Sequence, residues 1–394
     1  MEYQEILHRC FRCGYCKFPS GYQDLNCPSY LRYRFETFSP GGRMWLLRAW
    51  INGELEASRR LAEILFSCAS CANCVEHCVF PKFKSDLLNA FIAGRAELVN
   101  EGMVPKNVGD FFKAIYLYGN PYKLAGAERA RWAAGLELKK FDGSQEYLFY
   151  VGCAGSFDER GKKMAQAVAR VLNRLGISFG ILGEDERCDG NEVLSMGEKG
   201  LFEKLAQENI QQFKELGVKK IITLSPHAYN AFKNEYPKFG GDFQVFHYHQ
   251  IFSFYFARML AGEIEGLKFS SPEKKICVTF HDPCYLGRHN QDYETSRLIL
   301  SMFPAVEMVE MERNRADALC CGGGGGNFYT DMLASGENHP SRVRIREALA
   351  SGAEIIAVAC PKCAKMLEDA VKAEQAEEKI KVYDLAELIY QFIS

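Results

Sequence analysis

The chain has 394 residues, 47% of them hydrophobic and 25% charged, and its formal net charge is −2 at pH 7. This length allows two or three domains with buried cores, whereas the slight negative charge argues against nucleic acid as a partner. We expect neither a secretory signal nor a transmembrane segment, and the 16 cysteines predict metal chemistry in a reducing, cytoplasmic setting.

Two cysteine runs in residues 1–85 match the ligand spacing of bacterial two-cluster ferredoxins, which bind cubane [4Fe–4S] clusters. Each run has three cysteines separated by two residues, with a fourth cysteine further along the chain. In such ferredoxins the fourth cysteine of one run binds the cluster of the other run. We therefore assign one cubane cluster to Cys10, Cys13, Cys16 and Cys78, and the second to Cys68, Cys71, Cys74 and Cys27.

Zinc and disulfides are the alternatives for these cysteines. Zinc sites usually pair one CxxC with a second CxxC or with distant histidines, whereas here three cysteines stand in a row, twice. A disulfide framework is typical of short secreted chains, and this chain is long. The spacing favours two cubane clusters, and hence a protein that moves electrons.

Helical patterns surround and follow the cysteine runs. Residues 44–51 lie between the runs, and residues 82–145 contain apolar side chains at helical spacing. The sequence Gly119-Asn120-Pro121 interrupts this second stretch. We predict an α-helical, ferredoxin-like domain over residues 1–85 and a helical linker over residues 86–145.

From residue 146 onward, short apolar segments alternate with amphipathic ones, a pattern that predicts α/β domains with parallel sheets. We place one α/β domain over residues 146–270 and a second over residues 271–394. The predicted strands are residues 147–151, 177–182, 220–224, 276–280, 306–311 and 355–359. The predicted helices are residues 160–175, 202–216, 293–303, 341–351 and 362–372.

The second α/β segment repeats the first. Cys153 and Cys188 have thirty-four residues between them, and Cys284 and Cys320 have thirty-five. Two further segments align: Cys188-Asp189-Gly190 with Cys320-Cys321-Gly322, and Ser225-Pro226-His227-Ala228 with Cys360-Pro361-Lys362-Cys363. The alignment indicates a tandem duplication in which the first copy has lost cysteines.

Five cysteines of the second copy fall at or near the carboxyl ends of predicted strands, where parallel sheets place their sites. They are Cys284, Cys320, Cys321, Cys360 and Cys363. Five thiolates are too many for one tetrahedral zinc ion, and they suit a larger iron–sulfur cluster.

A run of glycines over residues 322–326 follows two of these cysteines directly. Glycine lets backbone amides approach an anionic cluster closely, so we predict that Gly322, Gly323 and Gly324 help to bind the cofactor. The alternative, a nucleotide loop, lacks both the GxGxxG spacing and a following Gly-Lys-Ser/Thr. His281 adjoins the first cysteine and is predicted to support the site from the side, by hydrogen bonding to a sulfur or by orienting the turn.

The pattern Cys…Cys-Cys-Gly…Cys-Pro-x-Cys behind a two-cluster ferredoxin domain, together with His281-Asp282-Pro283-Cys284, resembles the cysteine-rich CCG family. That family includes the D subunit of heterodisulfide reductase, the C subunit of anaerobic glycerol-3-phosphate dehydrogenase, the iron–sulfur subunit of glycolate oxidase, and a related benzoyl-CoA reductase subunit. The resemblance covers nearly the whole chain and implies two tandem CCG α/β domains. It also implies a noncubane [4Fe–4S] cluster on Cys284, Cys320, Cys321, Cys360 and Cys363.

The first copy departs from this family pattern at three positions where a complete copy has cysteine: Asp189, Ser225 and Ala228. A second noncubane cluster is therefore not expected. One alternative is a weak metal site, such as zinc, formed by Cys153, Cys188 and His227. A domain kept for structure or for docking is favoured, since only two thiolates survive.

The resemblance implies an oxidoreductase subunit of the heterodisulfide reductase type in an anaerobic complex. Electrons would pass from a flavoprotein or ferredoxin-like partner through the two cubane clusters to the noncubane cluster, or in reverse. A quinone-linked membrane subunit or a second redox subunit would lie at the other end, which implies a cytoplasmic chain held at the membrane through its partner. The alternative is catalytic, with a disulfide reduced directly at the noncubane cluster.

Overall fold

A computed structural model of the chain describes residues 3–21, 24–263, 269 and 274–393. Within them, an α-helical N-terminal region is followed by two α/β units with parallel sheets, which confirms the predicted fold class. The predicted boundary between the two α/β copies, at residues 270 and 271, lies outside the described residues. No helix in the described part of the chain is long and apolar enough to cross a membrane.

Short helices with defined ends build the N-terminal region. Ser39 begins one helix by accepting a hydrogen bond from the backbone N–H of Gly42 at 3.0 Å. Gly119 ends another in the left-handed region at φ 67°, at the interruption predicted from the sequence. The α-helices of this region are Gln4–Leu7, Pro28–Tyr33, Pro40–Ile51, Arg59–Phe66, Asn73–His77, Leu87–Asn100 and Lys106–Tyr118.

Each α/β unit contains a four-stranded parallel sheet. The first comprises β1 (Tyr147–Tyr150), β2 (Phe179–Gly180), β3 (Lys220–Thr223) and β4 (Gln244–His247). The second comprises β5 (Ile276–Phe280), β6 (Val306–Met308), β7 (Ile355–Val358) and β8 (Lys381–Asp384). The strand orders, β2-β1-β3-β4 and β6-β5-β7-β8, are equivalent, so the duplication seen in the sequence is also present in the topology.

Helices provide the crossovers that parallel strands require. The longest of the predicted helices, residues 160–175, corresponds to Glu159–Arg174. Asp158 caps the start of this helix by accepting hydrogen bonds from the backbone N–H groups of Arg160 and Gly161, at 2.9 and 3.2 Å. In the first unit the α-helices are Gly152–Phe157, Glu159–Arg174, Asn191–Ser195, Lys199–Glu215, Pro226–Asn230 and Tyr248–Leu260. In the second they are Gly287–Asn290, Thr295–Ser301, Asn327–Thr330, Pro340–Ala350, Pro361–Ala373 and Leu385–Phe392.

Alternate side chains of a strand point to opposite faces of its sheet. The two faces of the first sheet pack against different parts of the chain, so this sheet lies between the N-terminal region and the second copy. Leu148 and Tyr150 join a core that includes the N-terminal helices. Tyr147 and Phe149 join a core that includes the second copy. A buried ion pair between Arg160 and Glu387, with nitrogen and oxygen 2.5 Å apart, also joins the two copies.

Candidate functional site

The five cysteines of the second copy converge beyond the carboxyl ends of β5 and β7, and all five are buried. The sulfur atoms of Cys284 and Cys320 are 3.8 Å apart, and those of Cys321 and Cys363 are 3.4 Å apart. Cys360 is the N-cap residue of helix Pro361–Ala373, which carries Cys363 in its first turn. The fold therefore brings together all five thiols that the sequence pattern singles out.

Hydrogen bonds within this group favour the thiolate form of Cys321 and Cys360, and they raise the pKa of the donors Cys320 and Cys363 well above the usual range. Bonds donated by Cys320 and Cys363 lower the pKa of Cys321 well below its usual range, and His281 adds to this effect. Burial opposes ionisation of Cys360, yet bonds from Cys363 and His227 bring the pKa of Cys360 well below its usual range. Thiolates are the form that binds iron, so this donor set fits an iron–sulfur cluster.

His281 supplies a hydrogen-bond donor to the same group. The Nε of Arg344 donates to His281 Nδ1 at 3.2 Å, so the proton of a neutral imidazole lies on Nε2. That Nε2 is buried and has no hydrogen-bond partner within the described residues, and the ring lies within 4.8 Å of the sulfurs of Cys321 and Cys363. An unpaired N–H aimed at thiolates fits a cluster whose sulfur atoms accept hydrogen bonds.

The glycines of residues 322–324 make two kinds of contact. Gly322 donates its backbone N–H to Cys320 Sγ at 3.4 Å, and a Cβ on Gly323 would lie 3.7 Å from Cys321 Sγ. Gly324 instead packs on the carbonyl of Ala69, where a Cβ would collide with the oxygen. The structure thus places the first two glycines at the thiols, and the third against the loop of the second ferredoxin run.

The eight cysteines of the N-terminal region lie in two neighbouring groups. Burial, followed by the charges of Cys68, Cys16, Cys71 and Cys27, raises the pKa of Cys74 well above its usual range, which shows how closely these thiols approach one another. Only one of the eight is exposed, namely Cys13. A single cavity is lined by Cys10, Cys13, Cys16 and Cys78.

The second N-terminal group adjoins the five-cysteine group. The neighbouring Cys320, followed by burial, raises the pKa of Cys71 well above its usual range. Arg288 is buried beside this contact and donates to the carbonyls of Cys71 and Ala318, both at 2.7 Å. Its guanidinium places a positive charge between two groups of thiols that each become negative when they bind metal.

The first copy holds a different arrangement at the equivalent place. Cys153 and Cys188 line one small cavity, and Arg129 Nη2 lies 3.3 Å from Cys153 Sγ. Ser225 Oγ accepts a hydrogen bond from the backbone N–H of His227 at 3.2 Å and so caps helix Pro226–Asn230. Among the described residues, the sole group of three potential metal ligands within 4.8 Å is in the second copy, so Cys153, Cys188 and His227 do not form such a group.

Glu192 is a residue of the site that sequence reasoning missed. Its Oε1 lies 2.6 Å from Lys362 Nζ and 2.6 Å from His227 Nδ1, and its Oε2 accepts the backbone N–H of Gly326 at 2.5 Å. Burial opposes its charge, but Lys362 and His227 hold the pKa of Glu192 well below its usual range. This carboxylate joins the two copies, and its sequence neighbours carry no sign of that role.

Two domain families match the chain. The cysteine-rich domain (CCG) matches twice, over residues 147–233 and 278–368. The 4Fe–4S dicluster domain matches residues 6–80. The first match coincides with the two α/β units, and the second with the two cysteine runs of the N-terminal region.

Similar proteins include iron–sulfur oxidoreductases. The chain is 37% identical to the probable iron-sulfur-binding oxidoreductase FadF of Bacillus subtilis, over 84% of this chain and 47% of that protein. It is 35% identical to the EtfAB:quinone oxidoreductase of Syntrophomonas wolfei, over 84% of this chain and 46% of that protein. The chain thus spans about half the length of these two relatives.

A third relative matches from end to end. The chain is 29% identical to the D subunit of the dihydromethanophenazine:CoB--CoM heterodisulfide reductase of Methanosarcina barkeri. That alignment covers 97% of this chain and 93% of the relative.

Proposed function

We propose that this chain, which belongs to the cysteine-rich CCG-domain iron–sulfur proteins, is an electron-transfer subunit of an oxidoreductase complex of the heterodisulfide reductase type. The contact between Cys71 and Cys320 carries the proposal, because it joins the ferredoxin-like region to the five-cysteine group. The outer N-terminal group reaches the surface at Cys13. Three thiol groups in a row, exposed at one end and buried at the other, suit a relay of electrons.

The proposed cofactors are two cubane [4Fe–4S] clusters and one noncubane cluster, which when bound supply one-electron chemistry. The outer cubane would be held by Cys10, Cys13, Cys16 and Cys78, and the inner one by Cys68, Cys71, Cys74 and Cys27. The noncubane cluster would be held by Cys284, Cys320, Cys321, Cys360 and Cys363. The N–H groups of His281 and Gly322 would then stabilise negative charge on sulfur, and Arg288 would do so between the two inner sites.

The proposed docking face for a redox partner surrounds Cys13. Phe11 beside it is 70% exposed, and Arg12 lies over the ring of Trp45 at 4.0 Å. An exposed apolar side chain beside a basic one suits an acidic flavoprotein or ferredoxin-like carrier. A quinone-linked membrane subunit or a second redox subunit would exchange electrons at the other end, which would hold the chain at the membrane surface.

The five-cysteine group adjoins Cys71, so electrons can reach it through the protein without an opening to solvent, which supports electron transfer. Its cysteines are 0–7% exposed. The competing function, direct reduction of a disulfide at the noncubane cluster, requires the chain alone to couple a chemical reductant to disulfide cleavage.

The test is to purify the full chain without oxygen and to measure iron, zinc and acid-labile sulfide per polypeptide. We expect about twelve irons and no zinc, from two cubane clusters and one noncubane cluster. About eight irons would contradict the noncubane assignment. About sixteen irons, with disulfide reduction by the isolated chain, would make the catalytic function the better conclusion.

A further inference from the structure

The degenerate copy brings two cysteines together with a buried cation. Cys153 and Cys188 line one small cavity, and both residues are buried, at 5% and 8% exposure. Arg129 Nη2 lies 3.3 Å from Cys153 Sγ, and Arg129 Nη1 lies 3.0 Å from Glu186 Oε1. The pair is therefore arranged as one thiolate, stabilised by a thiol and a guanidinium.

Arg129 links this pair to the surface. Its guanidinium donates to the carbonyl of Gly119 at 3.3 Å and lines a groove of about 390 Å³. Arg187 and Lys204 also line this groove, together with several acidic side chains. Cys153 thus lies directly behind a polar groove of a size that admits a small molecule.

The surroundings of the pair do not favour zinc, which needs three or four ligands. His227 Nδ1 instead pairs with Glu192, and a neighbouring guanidinium repels cations. Two thiols in contact beside a cation are an arrangement typical of a redox-active dithiol.

We propose that Cys153 and Cys188 are a redox-active dithiol that exchanges with low-molecular-mass disulfides through the Arg129 groove. The Cys153 thiolate attacks one sulfur of the disulfide and forms a mixed disulfide, which releases one small thiolate. The Cys188 thiol loses its proton and attacks Cys153 Sγ, which closes the Cys153–Cys188 bond and releases the second small thiolate. The protein pair is oxidised by two electrons, the small disulfide is reduced by two, and the proton leaves on one product thiol.

This inference goes beyond the proposed function, because the exchange involves no iron–sulfur cluster. Its polarity follows from a contact: Arg129 Nη2 lies 3.3 Å from Cys153 Sγ. The neighbouring Cys188 and this charge lower the pKa of Cys153 against the effect of burial. Cys153 is therefore the attacking residue and Cys188 the resolving one.

The test equilibrates the full chain, purified without oxygen, in buffers of reduced and oxidised glutathione at increasing ratios. Acid quenching, alkylation and peptide mass spectrometry then measure the fraction of linked Cys153 and Cys188 peptides. We expect this fraction to rise from near zero to near complete within the glutathione range. Absence of the linked peptide at every ratio would overturn the proposal, as would a zinc ion bound in the wild type and lost in Cys153→Ser.

Variants of the pair test the polarity. Cys188→Ser should accumulate glutathione on Cys153, because the resolving thiol is absent. Cys153→Ser should leave Cys188 unmodified. Modification of Cys188 in that variant, or none of Cys153 in the first, would overturn the assigned roles. Cys277→Ser is the matched control, since this half-buried cysteine of β5 should leave the linked fraction unchanged.

Iron content separates this proposal from the proposed function. Both variants of the pair should retain the iron of the wild type, because neither cysteine belongs to the three thiol groups of the relay. Absence of the linked peptide in a wild type with full iron content speaks against the dithiol alone. A low iron content in the wild type, with the linked peptide formed, speaks against the relay alone.

Discussion

Cys360 and Ser225 occupy the same place in the two copies, at the first residue before a proline-initiated helix that follows the third strand of the sheet. Ser225 caps its helix with a side-chain oxygen, whereas Cys360 makes no side-chain cap and turns toward other thiols. The comparison shows that a ligand can be lost without loss of the fold. A serine caps a helix well, and buried apolar strands hold the sheet.

The last strand of each copy also ends in equivalent residues with opposite chemistry. His247 ends β4 and Asp384 ends β8, and each begins a helix through a reciprocal capping box. Burial, aided by His249, lowers the pKa of His247 well below its usual range. Burial likewise raises the pKa of Asp384 to about 8. Both caps are thus uncharged, one as a base and the other as an acid.

The sharpest test of the comparison between the two copies replaces Cys360 and Ser225 in turn. Cys360→Ser should remove about four of about twelve irons, because one thiolate of the five-cysteine group is gone. Ser225→Ala should leave iron unchanged and cost about 1 kcal/mol of stability through the lost cap. Iron and sulfide analysis measures the first effect. Equal iron in Cys360→Ser and the wild type would show that Cys360 is not a ligand.

Glu192→Gln should weaken the contact between the two copies. The change leaves Lys362 and His227 without their buried counter-charge and should cost about 3–5 kcal/mol. Thermal unfolding under anaerobic conditions should show a clear fall in the midpoint. Glu203→Gln, at an exposed position of helix Lys199–Glu215, is the control and should shift the midpoint little. Equal unfolding midpoints for both variants would show that Glu192 does not hold the two copies together.

Gly325→Ala should disturb the contact between the second copy and the ferredoxin-like region. Gly325 has φ 59°, and a Cβ there would collide with the carbonyl oxygen of Cys68. Gly352 has φ 78° with open space around it, so Gly352→Ala should cost only about 1 kcal/mol of backbone strain. Gly325→Ala should cost about 2–4 kcal/mol and slow internal electron transfer, as followed by rapid-freeze spectroscopy. Similar losses in both variants would argue against a close approach.

The two caps predict opposite pH dependences. The depressed pKa of His247 gives stability that is complete above its unfolded value near 6.5 and lost as pH falls below it. The raised pKa of Asp384 gives stability that is complete below its unfolded value and lost as pH rises towards 8. Relative to the wild type, Asp384→Asn should remove a fall in the unfolding midpoint between about pH 4 and 8, and His247→Gln should remove a rise in the midpoint with increasing pH below about pH 6.5. Parallel plots for both variants and the wild type would contradict this.

Much of the architecture was predictable from periodicity and spacing, because the duplication repeats both. Strands β1, β3, β5 and β7 are apolar and buried, and the predicted segments match them closely. The edge strands β4 and β8 were missed, since their sequences QVFH and KVYD are short and begin with exposed polar residues. The predicted strand over residues 177–182 pairs with β1 at Phe179–Gly180, and Ile181 forms an isolated bridge with Lys140 before the chain turns into a short 3₁₀ helix at Gly183–Asp185.

The candidate site, like the fold, was predictable only in part. Cysteine spacing identified the thiols, since cluster chemistry requires particular ligands at particular intervals. Arg129 and Glu192 carried no such signal. Glu192 meets Lys362 across 170 residues of chain, and Arg129 meets Cys153 from an otherwise ordinary turn of helix. Such roles arise only when separate segments pack together.

The exposure of Cys13 has a consequence for damage by air. Oxidants dissolved in water reach the outer thiol group first, while the five-cysteine group lies in the interior. Oxygen should therefore destroy the relay from the surface inward. The part of the molecule that meets partners would fail while the innermost centre remains intact, and repair need only rebuild the outermost iron.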